Sequence, residues 1–136
     1  MSTERPVRVA VINTSVETIE LLREILADDG YTVVGSPDTT VTMFKRGQDD
    51  LRAFLTAADP QVIVWDIALP YEENWRYFET QRRAGLFAGR GVVLTTTNKR
   101  ALDELVGPTP AHEIIGKPFD LNDLLAAVRA AVPAGE

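Results

Sequence analysis

Five short runs of Val, Ile and Leu recur along the chain, and each is followed by a stretch with helical spacing. "VRVAVI", residues 7–12, alternates and is rich in Val, which predicts a first strand. Thr14 and Glu17 then stand at capping-box spacing, and Ile19, Leu22, Ile25 and Leu26 form one apolar stripe of a first helix. Asp28, Asp29 and Gly30 end it, with Gly30 suited to a left-handed position. "YTVVG", residues 31–35, predicts strand two. Residues 36–47 show no dominant period, although Val41, Met43 and Phe44 read as buried.

A second helix fits residues 48–58, with Leu51, Phe54, Leu55 and Ala58 on one face and Pro60 closing the connection. "QVIVW", 61–65, predicts strand three. A third helix over 73–84 turns Trp75 and Phe78 inward, with Glu72 and Glu73 favoured by the dipole of its first turn. "GVVLT", 91–95, predicts strand four. A fourth helix starts near Thr97 or Asn98, carries Ala101, Leu102, Leu105 and Val106, and ends at Gly107 and Pro108. "HEIIG", 112–116, predicts strand five, and Asp120 caps a last helix striped by Leu121, Leu124, Leu125 and Val128. The ends fray, which leaves an ordered core of about 6–132 in a single domain spanning 1–136.

Five strand–helix repeats predict an α/β fold, a doubly wound five-stranded parallel sheet with helices on both faces, and strand order 2-1-3-4-5 is taken as its flavodoxin-like arrangement. Strands covered on both faces read as continuous apolar runs. That makes "VIVWDIALP", 62–70, conspicuous, because Asp66 follows a run that is otherwise core. In such sheets ligands bind beyond the carboxyl ends of the strands. Strand one ends at Asn13 and Thr14, strand four at Thr95 and Thr96, and strand five at Gly116, Lys117 and Pro118. An acid, a hydroxyl and a lysine therefore converge on one pocket.

Composition narrows the chemistry. Apolar residues make up 45% of the 136 and charged residues 25%, an ordinary globular mix. The net charge of −6 argues against direct nucleic-acid binding and against anionic membranes. There is no Cys and one His, His112, which excludes disulfides and Cys- or His-rich metal sites. No signal-peptide core or membrane-length apolar run is present, so a cytoplasmic location is expected.

Three segments in order carry a resemblance. "VWDIALP", "VVLTT" and "IIGKPF" resemble the phosphoacceptor, switch and Lys-Pro-Phe segments of response-regulator receiver domains. Asp66, Thr95 and Lys117 stand 29 and 22 residues apart, as that frame requires. The resemblance implies that Asp66 accepts a phosphoryl group from a histidine kinase of a two-component phosphorelay and that Thr95 contacts it. Lys117 would pair with it, next to Pro118 and an X–Pro bond that is often cis in the family. It also implies protein partners, a kinase or an output protein, and a homodimer face on the fourth helix, strand five and the last helix.

The chain departs from the family where an acidic pair usually holds Mg²⁺ after strand one. Asn13 and Thr14 occupy those positions. The remaining Mg²⁺ ligands would be Asp66, a neutral oxygen of Asn13 and the backbone carbonyl of Ala68, a weak set. Ile114 replaces the aromatic residue that receivers often place three before the lysine. The sequence therefore points to an atypical receiver that is no enzyme, holds no cofactor beyond weak Mg²⁺, and acts by protein contact with weak or absent phosphorylation. Two rivals stay open. One is a working phospho-receiver that tolerates Asn13 and Thr14. The other is a small flavodoxin-like nucleotide-binding or enzymatic domain, against which "NTSVET" offers no glycine for a phosphate loop.

Overall fold

The structure is a computed structural model, and it describes residues 6–47, 50–106, 113–116 and 120–133. Its elements, in chain order, are β1 (Arg8–Ile12), α1 (Val16–Asp28), β2 (Thr32–Val33), α2 (Val41–Lys45), α3 (Leu51–Ala58), β3 (Val62–Ile67), α4 (Tyr71–Arg83), β4 (Gly91–Thr96), α5 (Lys99–Val106), β5 (Glu113–Gly116) and α6 (Leu121–Ala131). The five strands form one sheet in the order β2-β1-β3-β4-β5, with every pairing parallel.

Strand alternation divides the core into two unlike halves. Ile63, Trp65 and Ile67 point to one face with Ile12 and Leu94, where Phe44, Trp75, Phe78 and Phe87 join them. Trp65 is fully buried there, its ring centroid 5.5 Å from Phe78 and 5.6 Å from Phe87. Val62 and Val64 point the other way with Val9, Val11 and Val93, and meet Ile19, Leu22 and Leu26 of α1 and Leu124 and Val128 of α6. The β-branched residues suit a pleat covered on both sides. Burying each of these larger side chains is worth roughly 1.5–3 kcal/mol.

Several element ends differ from the sequence expectation. Helix α1 is capped by Ser15, whose Oγ accepts from the Thr18 amide at 3.2 Å, and not by Thr14. The cause lies one residue earlier: Asn13 Oδ1 already takes the Thr14 and Ser15 amides at 2.7 and 3.1 Å, so the helix begins one step later. Strand β2 shrinks from five residues to Thr32–Val33, as suits an edge strand paired on one side. The segment without a period contains a short extra helix, α2, which buries Val41 and Phe44. Helix α4 begins at Tyr71, two residues before the expected start, and Glu72 and Glu73 sit in its first turn. Leu105 and Leu121, read as inward, are exposed, since α5 and α6 each pack through a narrower stripe. Asp120 caps α6 as expected, accepting from the Asn122 amide at 2.7 Å.

Candidate functional site

Strand β3 runs on through Asp66 to Ile67, and β4 through Thr96, so Asp66 is a strand residue paired in register with Thr95 rather than a residue just beyond the strand end. Alternation puts both on the face of Val64 and Val93, toward α1 and α6. Asn13, two residues after Val11, continues the same parity from β1. All three are buried, with Asp66 at 4% exposure, Asn13 at 3% and Thr95 at 1%. The frame thus gathers three polar side chains at the carboxyl edge, in the middle of the sheet.

Two of the sequence-predicted residues meet directly. Thr95 Oγ1 donates to Asp66 Oδ1 at 2.6 Å, a short charge-assisted hydrogen bond. Asn13 does not present its carbonyl to that centre, because Oδ1 accepts from the two loop amides named above. Thr14 is exposed, its hydroxyl 3.5 Å from the same Asn13 oxygen. The backbone carbonyl of Ala68 is also engaged, accepting from Asn74 Nδ2 of α4 at 2.8 Å. Lys117 and Pro118 lie outside the described residues, as does His112. Ile114 is placed by its backbone, paired with Leu94 through β5. Among the described residues the Leu69–Pro70 bond, after β3, is cis.

The structure also brings in residues that sequence reasoning missed. Lys45, from α2, donates to Asn74 Oδ1 and to Glu73 Oε2, both at 2.6 Å. That hydrogen bond, with the lysine's charge, holds the Glu73 carboxyl below its usual range. Tyr71 and Thr97 share a hydroxyl–hydroxyl bond between the segments that follow β3 and β4. Glu73 and Thr97 were legible only as helix-start residues, and the others carried no sequence signal. Asn74 is one polar position in an amphipathic helix, and Lys45 lies in the segment without a period. Among the described residues no group of three or more His, Cys, Asp or Glu is placed to hold a metal.

The geometry so far is a parallel sheet in the order 2-1-3-4-5 with a buried Asp–Thr pair at its carboxyl edge. Solved structures with this fold include a Vibrio cholerae chemotaxis protein, CheY4, with a TM-score of 0.65, 20% identity and coverage of 93% of this chain and 99% of that one. Another is the signal receiver domain of a LuxO repressor protein from Vibrio parahaemolyticus, with a TM-score of 0.67, 17% identity and coverage of 94% and 91%. The chain has the fold of response-regulator receiver domains. Curated relatives include the transcriptional regulatory protein PcoR of Escherichia coli, 25% identical over 123 residues, and the transcriptional regulatory protein DltR of Streptococcus agalactiae, 29% identical over 123. Each match takes in 90% of this chain and 50% of the relative, so the chain spans about half the length of the curated relatives it matches. No family model matches the chain.

Proposed function

We propose that this receiver-like domain signals through protein–protein contacts, with Mg²⁺-dependent phosphorylation of Asp66 weak or absent. The observation that carries this reading is the occupied state of the two neutral oxygens. Asn13 Oδ1 holds loop amides and Ala68 O holds Asn74, which leaves the Asp66 carboxylate as the acidic ligand of a dication. Mg²⁺ gives up its water reluctantly and binds where carboxylates offset its charge. A carboxylate about 5 Å from the ion contributes roughly 2–7 kcal/mol gross for effective dielectrics of about 80 down to 20. Desolvation takes back much of that, yet losing two such contributions still weakens binding severely. The donor set does not fit the ion.

The domain is a binding module and not an enzyme in this reading, located in the cytoplasm. Among the described residues no helix is long and apolar enough to cross a membrane. Its partners are a histidine kinase or an output protein, by analogy with the regulators it resembles, and direct nucleic-acid contact is disfavoured by the charge of −6. A homodimer would use the α5–β5–α6 face, where Arg100, Glu104, Asp123 and Arg129 are exposed and Lys99 and Asp103 pair at 2.9 Å. Mixed charges suit a self-complementary twofold contact.

One observation favours the second reading, a working phospho-receiver. Thr95 already touches Asp66, as a switch hydroxyl beside a phosphoacceptor would. Calorimetric titration of the wild-type protein with Mg²⁺ separates the two. The first reading expects no saturable heat at millimolar concentrations, and saturable binding there supports the second.

A further inference from the structure

The bonds around Ala68 run back to a charge. Asn74 is buried, and its amide is used at both ends: Nδ2 donates to Ala68 O at 2.8 Å, and Oδ1 accepts from Lys45 Nζ at 2.6 Å. Lys45 itself is mostly covered, with 24% of its side chain exposed, and its second partner is Glu73. An ammonium on the carbonyl end of an amide polarises the amide and strengthens the bond its N–H makes at the other end. The carbonyl two residues beyond Asp66 is therefore held, through one side chain, by a fixed positive charge. That charge comes from α2, the short helix in the segment without a period, and α2 is tied to the same edge of the sheet by the Val41 amide donating to Asn13 O at 3.0 Å.

We propose that Lys45 is a resident cation that acts through Asn74 to brace the β3–α4 loop beside Asp66, taking the place a divalent ion would have there. The proposal rests on the reading that the domain does not hold Mg²⁺ well, and it adds a cause. Asn13 and Thr14 remove the attraction for a dication, while Asn74, polarised by Lys45, engages the loop carbonyl and the lysine's charge repels the ion. Lys45 is a positioning residue in this arrangement, since it reaches the site through Asn74. The side chain of α2 that would otherwise be an ordinary surface lysine becomes part of the site's electrostatics.

The test uses the Asn13→Asp, Thr14→Asp double variant, in which acids are restored, and compares Mg²⁺ titrations with Lys45, Lys45→Met and Lys45→Arg. Removing one positive charge roughly 10 Å, about a helix width, from a dication in a water-like dielectric is expected to tighten binding about two- to fourfold. The Arg variant, which keeps the charge, should stay near the parent. Equal affinity in all three overturns the proposal. If Lys45→Met does not fold, Lys45→Gln, which keeps a donor for Asn74 without the charge, carries the same expectation. If the acid-restored protein binds no Mg²⁺, a stability cycle decides. The costs of Lys45→Met and Asn74→Leu should overlap in the double variant, and full additivity overturns the brace. Tight Mg²⁺ binding by the wild type would count against the proposed function, whereas indifference to Lys45 would count against this inference alone.

Discussion

The sheet has an acid at each of its two edges, and the two are used in opposite ways. At the amino edge Asp59 follows α3, with its side chain 65% exposed, and Arg8 and Arg90 reach it at 3.4 and 2.9 Å. Arg90 also donates to the carbonyl of Pro60 at 2.7 Å, and Arg8 Nε donates to the Asp59 carbonyl at 2.7 Å. These bonds tie the end of α3 to the starts of β1 and β4. At the carboxyl edge Asp66 is buried at 4% exposure and takes a hydroxyl from the neighbouring strand. An exposed acid among arginines costs little and gives little. A buried carboxylate is expensive to desolvate and is kept where chemistry or signalling needs it. The lesson is that counting ion pairs would point to the wrong end of the molecule.

The largest effect should come from the amino edge, through packing rather than charge. A Cβ on Gly91 would lie 1.7 Å from the backbone oxygen of Ala131, where α6 closes over the start of β4. Gly91→Ala should therefore cost about 3 kcal/mol or more, seen as a lower urea midpoint with an unchanged slope. Next comes the carboxyl edge. Thr95→Val removes the hydroxyl from Asp66 and should cost roughly 1.5–3 kcal/mol, the scale of a bond to a charged group, while Thr95→Ser keeps most of it. A smaller cost from Thr95→Val than from any single charge removed at the amino edge would break the comparison.

Arg90→Met should cost about 1–1.5 kcal/mol by the same urea measurement. It leaves the carbonyls of Pro60 and Leu55 without that donor, but it also removes the burden of burying Arg90 Nε, which has no hydrogen-bond partner among the described residues. The smallest effect is expected at Asp59. This residue caps α3 in the left-handed conformation, with φ 47°, so Asp59→Gly gains backbone ease as it loses exposed ion pairs, and the urea midpoint should move least of the four variants near neutral pH. Its pH dependence has a definite sign. The hydrogen bond from Arg90 holds the Asp59 carboxyl below 3.8, so its contribution is present above that value and is lost as pH falls through the depressed one. Melting curves of wild type and Asp59→Gly should shift in favour of Gly as pH drops below 3.8.

Much of this frame was legible in the residues. The apolar runs predicted five parallel strands, because buried parallel strands have no polar face to blur them, while their order was the flavodoxin-like one assumed for such a frame. The pairing of Asp66 with Thr95 followed from the strand ends once that order was assumed. What the chain did not disclose were interactions without a period. Ser15 and Thr14 are both good caps, and the choice between them was made by Asn13, through side-chain bonds to backbone amides. Helix α2 spans Val41–Lys45, too short for its two buried residues to establish a stripe. The Lys45–Asn74–Ala68 chain joins three segments through single side chains and leaves no spacing to read.

The central claim is that a receiver-like site has kept its acceptor and switch hydroxyl while losing the means to hold Mg²⁺. Intact mass after incubation with acetyl phosphate and Mg²⁺ tests it most directly, on wild type beside the Asn13→Asp, Thr14→Asp variant. That variant keeps the α1 cap, because the cap is Ser15, and an Asp at position 13 can accept the same two amides. The account predicts an unmodified wild type and one added phosphoryl group on the acid-restored protein, lost when Asp66 is changed to Asn. A wild-type protein that gains the phosphoryl group at Asp66 as readily as the variant would contradict it.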